Sequence, residues 1–324
     1  MSDGNSAEKE DRDKLEALSP TEAFELLTHE TRMAAMRVLW EAGEPLRFSE
    51  IADRAGISDT GNFNYHLGEL VGYFVRKEGD AYRLTRPGRR AMAAVLSGDI
   101  TDRPRFEPTR IDQPCPYCGA EILLAHNRNK LRVLCTACEG TFQSDKWNQG
   151  TNRPHPQGTL SVLPFPASGV KDRDLTALLR SALTRLTSKW RDATNGICPE
   201  CGGTTVSTAT VCPDHDTDGV CGSCGCRFAG HRAITCDICG DYHNGVFPLN
   251  GLADPGTLTY FWDHGVDLFD PTWDDMLRFI ECEERIHAVD PIEAEVVWAL
   301  DDEPLAVRIG ADGDVVGVTR GSRS

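Results

Sequence analysis

The sequence predicts an α+β protein made of several small units. Three observations support this prediction: helical patterns and a short hairpin pattern fill the first 100 residues, CxxC pairs recur through the middle, and alternating apolar residues mark strands near the carboxyl end. A chain of 324 residues is also long for a single hydrophobic core. We expect an N-terminal helical unit with a hairpin, cysteine-bearing β-hairpins, and a small C-terminal α+β domain with an antiparallel sheet.

Changes in composition along the chain set the expected boundaries. Residues 1–14 are polar and charged, which predicts a disordered terminus, and a stretch rich in Pro and Gly later separates two groups of cysteines. The expected units after residue 14 are a helical domain at 15–100, a first cysteine hairpin at 111–144, a connector at 145–170, an amphipathic helix at 171–195, a double cysteine cluster at 196–244 and an acidic α+β domain at 245–324.

The apolar runs of the chain are short. None reaches the ~20 residues that a membrane-spanning helix needs, and the first residues are unlike a signal peptide. We therefore expect a cytoplasmic protein with no membrane partner. In that compartment paired cysteines hold metal ions more often than they form disulfides.

The net charge of −16 is concentrated in the carboxyl-terminal part, where residues 241–324 contain 18 Asp and Glu against 5 Arg and no Lys. Only 7 of the 34 basic residues in the chain are Lys. This composition resembles proteins of salt-accumulating, haloarchaeal cells, and an ordinary acidic cytosolic protein is the alternative. Near 1 M salt the Debye length is roughly 3 Å, so an acidic tail in such a cell repels DNA only weakly.

The first unit begins with three predicted helices, the second ending at Gly43 and the third at Gly56. The stretch SDTGNFNYHLGELVGYF at 58–74 predicts a fourth helix with one buried stripe. That stripe consists of Phe63, Leu67, Leu70, Val71 and Phe74. The opposite face carries Ser, Asn, Tyr and three Gly but no Lys or Arg. Because Gly destabilises an exposed helix by ~1 kcal/mol, this face predicts close approach by a partner such as the DNA major groove, or contact with another helix.

A β-hairpin is predicted directly after this helix, from two short alternating runs around Glu78-Gly79-Asp80. Basic residues are concentrated on the hairpin and just beyond it. They are Arg76, Lys77, Arg83, Arg86, Arg89 and Arg90. Cations beside a neutral helix can contact phosphates, which positions a protein on DNA without reading the base sequence.

The first unit resembles the ArsR-type winged helix-turn-helix transcription regulators, in particular those of haloarchaea. The resemblance lies in the order of the helices, the segment NFNYHLGELVGYFVRK, the hairpin and the following TRPGRR. The resemblance implies a sequence-specific regulator that binds double-stranded DNA and forms a homodimer through terminal helices, here within 20–40 and 89–97. The candidate DNA-binding residues are Ser58, Asp59, Thr60, Gly61, Asn62, Asn64, Tyr65, Arg76, Lys77, Arg83, Arg89 and Arg90. Residues 1–114 contain no cysteine, so arsenic or cadmium sensing in this unit is not expected.

Two CxxC pairs in the first cysteine hairpin predict one zinc centre. Its ligands are Cys115, Cys118, Cys135 and Cys138. The 16 residues between the pairs read as two strands about a polar turn, which brings four thiolates to the tetrahedral arrangement that zinc requires. A redox function of a single CxxC needs a thioredoxin-like βαβ context, which the surrounding sequence lacks.

A second group of metal-ligand types spans residues 198–239. In chain order it gives one centre at Cys198, Cys201, Cys212 and His215 and another at Cys221, Cys224, Cys236 and Cys239. An interleaved assignment that joins the pairs at 198–201 and 221–224, leaving 212, 215, 236 and 239, also fits the spacing. So does a single ion with Cys212 and His215 on the surface. We therefore expect two or three structural zinc ions per chain, with Cys226 and Cys282 left over. His231 is expected to face solvent, and its replacing a cysteine as a ligand is the alternative.

The predicted cysteine centres have no open coordination position, so their expected role is structural rather than catalytic. The sequence contains no paired-carboxylate site, nucleophile elbow or phosphate-binding Gly loop, and no enzyme is expected. The leading hypothesis is a zinc-stabilised, dimeric transcription regulator whose C-terminal domain receives a protein or small-molecule effector. The alternative is a non-catalytic zinc-ribbon adaptor of the transcription or RNA machinery that binds protein partners.

Overall fold

A computed structural model describes residues 18–98, 101–142, 156–216 and 219–321. The terminus expected to be disordered and the first part of the expected connector lie outside these ranges. The chain divides into two compact units, Met1–Asp102 and Arg103–Ser324. Among the described residues, no helix combines the length and the apolar character needed to cross a bilayer.

The first unit combines helices with a small antiparallel sheet. The helices are α1 (Pro20–Leu27), α2 (Glu30–Ala42), α3 (Phe48–Arg54), α4 (Thr60–Leu70) and α5 (Arg86–Leu96). The strands are β1 (Leu46–Arg47), β2 (Val75–Glu78) and β3 (Ala81–Leu84), and they pair in the order β1-β3-β2. Side-chain caps begin several of these helices: Ser19 caps α1 and Thr85 caps α5, each by accepting a hydrogen bond from a backbone N–H.

Helix α4 buries one face in the core of the first unit. Phe63, Leu67 and Leu70 are fully buried and Phe74 is nearly so, in agreement with the predicted stripe. Val71 is only half-buried, because α4 ends at Leu70 and the chain turns there. Gly72 lies in this turn with φ +96°, so its glycine serves the backbone conformation rather than a helix face.

The second unit begins with a four-stranded antiparallel sheet. Its strands are β4 (Phe106–Pro114), β5 (Glu121–Asn127), β6 (Lys130–Cys135) and β7 (Thr159–Pro164), in the order β4-β5-β6-β7. Strand β7 falls within the segment expected to be a connector, which is therefore not simply extended chain. It pairs with β6, with Leu131 opposite Leu163, and so adds a buried apolar edge to the first cysteine hairpin. The short helix α6 (Ala167–Val170) follows.

Helix α7 (Leu175–Thr194) corresponds to the predicted amphipathic helix and packs within the chain. Asp174 caps its start by accepting from the backbone N–H of Ala177. Its buried face contains Leu178, Leu179, Ala182, Leu183, Thr187, Trp190 and Ala193. The helix packs against β7 and against the 3₁₀ helix at Phe247–Ala253.

Two further antiparallel sheets complete the second unit. The strands β8 (Thr205–Val211), β9 (Gly230–Cys236) and β10 (Tyr242–Val246) form a sheet in which β9 is central. After the helices α8 (Pro255–Asp263) and α9 (Trp273–Ile280), the strands β11 (Glu283–Val289), β12 (Ile292–Leu300), β13 (Glu303–Ile309) and β14 (Val315–Arg320) pair in chain order. The predicted α+β architecture with antiparallel sheets is confirmed.

Candidate metal centres and candidate nucleic-acid interface

The first cysteine centre lies at one end of the β5–β6 hairpin. The Sγ atoms of Cys115, Cys118, Cys135 and Cys138 all lie within 4.8 Å of one another, as predicted. The pairing of Ile122 with Cys135 places the two CxxC turns side by side. The Sγ atoms of Cys118 and Cys135 are 3.5 Å apart and those of Cys115 and Cys138 are 3.7 Å apart.

These separations fit a tetrahedral metal ion. Four sulfurs at about 2.3 Å from a central zinc ion lie about 3.8 Å from one another. The backbone N–H groups of Ala137 and Cys138 both donate to Cys135 Sγ at 3.3 Å. Burial acts to raise the pKa of the Cys135 thiol, but the N–H donors and the bonds to Cys118 and Cys115 together lower this pKa to about 7. Cys135 is therefore poised to become a thiolate, the form that binds metal, whereas burial raises the pKa of Cys115 and of Cys138.

The second centre joins ligands that the sequence interpretation had separated. Cys198 and Cys201 cluster with Cys236 and Cys239, not with Cys212 and His215. The Sγ separations are 3.6 Å between Cys198 and Cys239 and 3.6 Å between Cys201 and Cys236. Strand pairing is the reason: Thr205 lies opposite Cys236, so the antiparallel β8–β9 hairpin brings the CxxC turns before β8 and after β9 together.

The third centre occupies the loop that joins β8 to β9, at the opposite end of the same hairpin. It groups Cys212, His215, Cys221 and Cys224. His215 Nδ1 lies 3.5 Å from Cys224 Sγ and so faces the sulfurs. On the other side of the ring, Nε2 lies 3.2 Å from the carbonyl oxygen of Arg227. In the tautomer that leaves Nδ1 free to bind a metal, Nε2–H donates to this carbonyl. Burial acts to raise the pKa of Cys221, but N–H donors led by that of Asp216 lower it to about 6.

The four ligands of the third centre therefore lie between the two CxxC pairs of the second centre in the sequence, an arrangement that we call nested. In space the two centres lie at opposite ends of the second hairpin. The chain-order assignment was wrong, and so was the interleaved one. The single-ion alternative was wrong as well, because Cys212 and His215 lie in a four-ligand group. His231 was expected to face solvent, yet it is only 8% exposed because β9 is the central strand of its sheet. Cys226 and Cys282 belong to none of the three groups.

The loop of the third centre also contacts the first cysteine hairpin. The backbone N–H of Arg227 donates to the carbonyl of Thr141 at 3.1 Å, and its Nε donates to the carbonyl of Gly140 at 2.7 Å. Its guanidinium lies over the ring of Tyr117, 4.1 Å from the ring centroid. Arg227 was not predicted from the sequence, since an isolated arginine in a loop belongs to no motif.

The first unit presents the other candidate site. The outer face of α4 and the turn before it are exposed to solvent at every predicted base-facing position: Ser58, Asp59, Thr60, Gly61, Asn62, Asn64 and Tyr65. Tyr65 is 59% exposed despite its large ring. Asp59 has a local role, because its carboxylate accepts the backbone N–H of Asn62 at 3.0 Å and caps α4.

The predicted cations fall into two groups. Arg76 and Lys77 are exposed on β2, where Glu78 pairs with Arg76 at 2.6 Å and with the half-buried Arg83 at 3.6 Å. A hollow between α2 and the start of α5 is lined by Trp40 and by four arginines. These arginines are Arg83, Arg86, Arg89 and Arg90. The structure thus brings Arg83 together with Arg89 and Arg90, while Arg76 and Lys77 do not line the hollow.

Both parts of the chain match known families. Residues 20–95 match a family described as a domain of unknown function (DUF7347). Residues 112–315 match a second family described as a domain of unknown function (DUF7351), and this match covers more than half of the chain. The protein belongs to the DUF7351 family. No curated protein and no solved structure matches the chain.

The two family matches separate the two candidate sites. All of the clustered metal ligands lie in the DUF7351 region, and all of the candidate DNA-binding residues lie in the DUF7347 region. The metal ligands of the DUF7351 region close each group with four sulfur or nitrogen donors, a donor set typical of structural zinc. The DUF7351 region therefore contains three groups of residues that could each hold a metal ion.

Proposed function

We propose that this DUF7351 protein is a dimeric, sequence-specific DNA-binding transcription regulator. In this proposal its first unit is a winged helix-turn-helix of the ArsR kind, and three structural zinc ions stabilise the second unit. The observation that carries the proposal is the outer face of α4. It is exposed along its length, bears amide and hydroxyl groups without Lys or Arg, and is followed at once by a hairpin with exposed cations.

The glycines of α4 support a partner outside the chain. No atom lies within 4 Å of the position that a Cβ at Gly68 would occupy, and its φ is not positive. Neither internal packing nor backbone conformation therefore requires glycine there, although glycine costs about 1 kcal/mol against alanine in a helix. A major groove that approaches the backbone of α4 closely accounts for it.

The roles of individual side chains follow from their placement. Asn64 and Tyr65 are exposed on α4, where an amide can pair with adenine and a phenol can reach a base or a phosphate. Arg76, Lys77 and the arginines of the hollow supply charge for phosphate contacts. Glu78 neutralises part of the charge on β2, so Arg89 and Arg90 are expected to contribute most to backbone binding.

The test begins with selection of a preferred duplex from a random library by the full-length protein. Asn64→Ala and Tyr65→Ala are expected to lower the affinity for the selected duplex towards that for random DNA, by about 1–3 kcal/mol each. Arg89→Ala and Arg90→Ala are expected to weaken binding to both duplexes alike and to reduce the salt slope by roughly one for each phosphate that the variant no longer neutralises. Arg110→Ala, which changes an exposed arginine of β4 outside the candidate set and outside the expected dimer helices, is the control.

Two outcomes count against direct DNA reading. One is a failure of the selection to enrich any sequence over the starting library. The other is retention of sequence preference by the folded double variant Asn64→Ala with Tyr65→Ala. A gel-filtration or light-scattering measurement of the unbound protein tests the dimer separately.

One observation favours the adaptor alternative. Four large apolar side chains are about half or more exposed near the second centre: Ile197, Val206, Ile238 and Tyr242. Val206 and Tyr242 flank Thr235 across the sheet, so two of the four lie on one exposed face. Exposed apolar groups of this kind mark protein-binding surfaces. If Ile238→Ser abolishes capture of a transcription or RNA-machinery protein while DNA selection fails, the adaptor function is the better account.

A further inference from the structure

The hollow between α2 and the start of α5 concentrates positive charge on the surface of the first unit. It has a volume of about 450 Å³ and is open to solvent. Arg83, Arg86, Arg89 and Arg90 line it, and Glu44 is the only acidic side chain among the described residues of its wall. Four arginines against one glutamate give a net charge of +3, in a chain whose net charge is −16. Because like charges on one concave surface repel one another, the hollow favours an anion.

Three of the four arginines have side chains that are available to a ligand. Arg86, Arg89 and Arg90 are exposed, and their guanidinium groups form no ion pair or hydrogen bond with any residue that the structure describes. Arg83 differs, because it is half-buried and its Nη1 lies 3.6 Å from Glu78 Oε1. A planar guanidinium group donates two parallel hydrogen bonds to a phosphate group, so the three exposed arginines are suited to hold one.

An aromatic side chain lies in the same wall. Trp40, on α2, lines the hollow and is 39% exposed. Leu39 and Leu84 also line the hollow but are buried, so the indole of Trp40 is the large apolar group that a ligand can cover. Indole rings stack on flat heterocycles such as nucleic-acid bases. The volume of the hollow lies within the range of small-molecule sites, so one ring and one anionic group fit in it together.

We propose that the hollow binds a small aromatic phosphate of the mononucleotide type. Its phosphate bonds to Arg86, Arg89 and Arg90, and its flat ring stacks on Trp40. A phosphate group carries about two negative charges and three acceptor oxygens, so it engages several arginines at once, whereas a carboxylate has a single charge and two oxygens. Binding of the free phosphate does not rest on the proposed DNA-binding function. Competition between this ligand and the DNA backbone for Arg89 and Arg90 does rest on it.

The first experiment compares three probes by calorimetry on the full-length protein at one fixed salt concentration. Adenosine monophosphate has both a ring and a phosphate, ribose phosphate lacks the ring, and adenosine lacks the phosphate. Adenosine monophosphate is expected to bind about tenfold more tightly than either of the other probes, because it alone engages both the arginines and Trp40. Absence of adenosine monophosphate binding overturns the proposal, as does equal affinity for adenosine monophosphate and ribose phosphate.

Substitutions separate the two halves of the site. Trp40→Ala is expected to weaken binding of adenosine monophosphate about tenfold and to leave ribose phosphate binding within a factor of about two. Arg90→Ala is expected to weaken binding of both phosphates about tenfold. Arg110→Ala changes an exposed arginine of β4 outside the hollow and should alter neither affinity. Equal weakening by Arg90→Ala and Arg110→Ala contradicts the assignment. If Trp40→Ala does not fold, the comparison of the three probes and of the two arginine variants decides.

Competition with DNA distinguishes failure of this site from failure of the proposed function. Adenosine monophosphate is expected to raise the apparent Kd for the selected duplex, whereas adenosine at the same concentration is not. If the protein selects a duplex but does not bind adenosine monophosphate, the site is wrong and the proposed function stands. If it binds adenosine monophosphate but selects no duplex, the site stands and the proposed function is wrong. Binding of both without competition overturns the shared use of Arg89 and Arg90.

Discussion

The nested arrangement of ligands on the second hairpin makes a sharp prediction about double substitutions. Cys201 and Cys236 belong to the second centre, whereas Cys212 belongs to the third, at the opposite end of β8–β9. Replacing one cysteine by serine removes a thiolate and leaves three ligands. The binding free energy of structural zinc with all four ligands is about 10–16 kcal/mol. A site with only three ligands binds zinc more weakly, and we expect it to lose its ion to a strong chelator.

The expected zinc counts separate the possible pairings. The unmodified chain has three four-ligand groups and should hold three ions. Cys201→Ser with Cys236→Ser damages one group, so two ions should remain. Cys201→Ser with Cys212→Ser damages two groups, so one ion should remain. The chain-order pairing reverses these two results, and the interleaved pairing gives one ion in both.

Native mass spectrometry after a chelator challenge counts the ions on each molecule, and circular dichroism checks that the variants are folded. Cys226→Ser is the matched control, because Cys226 is buried in the same hairpin region but belongs to no group. It should retain three ions. Retention of two ions by the 201/212 variant together with one by the 201/236 variant would refute the nested pairing.

Three further predictions concern single side chains. Arg227→Ala removes both side-chain contacts with the first cysteine hairpin and should lower the free energy of unfolding by about 1–3 kcal/mol in a denaturant titration. Burial raises the pKa of Glu284 from 4.5 to about 7. Between these two pH values the folded protein retains a proton that the unfolded chain loses, so the free energy of unfolding should fall by about 3 kcal/mol as the pH rises from 4.5 to about 7. Glu284→Gln should remove this slope, and Glu283→Gln, at an exposed carboxylate, should not. Gly68→Ala should stabilise the protein by up to about 1 kcal/mol yet weaken specific DNA binding; unchanged binding argues against close approach to α4.

Local pattern was sufficient for two features that depend on residues close in sequence. The stripe of α4 follows from helical spacing, and the first cysteine centre follows from two CxxC pairs on one short hairpin. The third centre is also local, since its ligands all lie within one loop. Its assignment failed only because the pair at 212–215 was joined to the preceding pair instead of the following one.

Features that depend on long-range pairing were not predicted. The second centre forms because β8 and β9 pair along their whole length, which makes Thr205 the neighbour of Cys236. The alternating residues of TVSTATV indicate one strand, and the run before Cys236 indicates another. If these two strands pair as a hairpin, the CxxC pairs at their outer ends meet, which is the nested arrangement. Strand β7 was missed for a similar reason, because its partner β6 lies beyond a long segment of chain.

The positions of the second and third centres imply different consequences of metal loss. The second centre lies at the open end of β8–β9, so an ion there would support the pairing of the strands themselves. An ion in the third centre would order the loop that presents Arg227 to Tyr117. Loss of the third ion should therefore release the contact between Arg227 and the first cysteine hairpin while β8 and β9 stay paired.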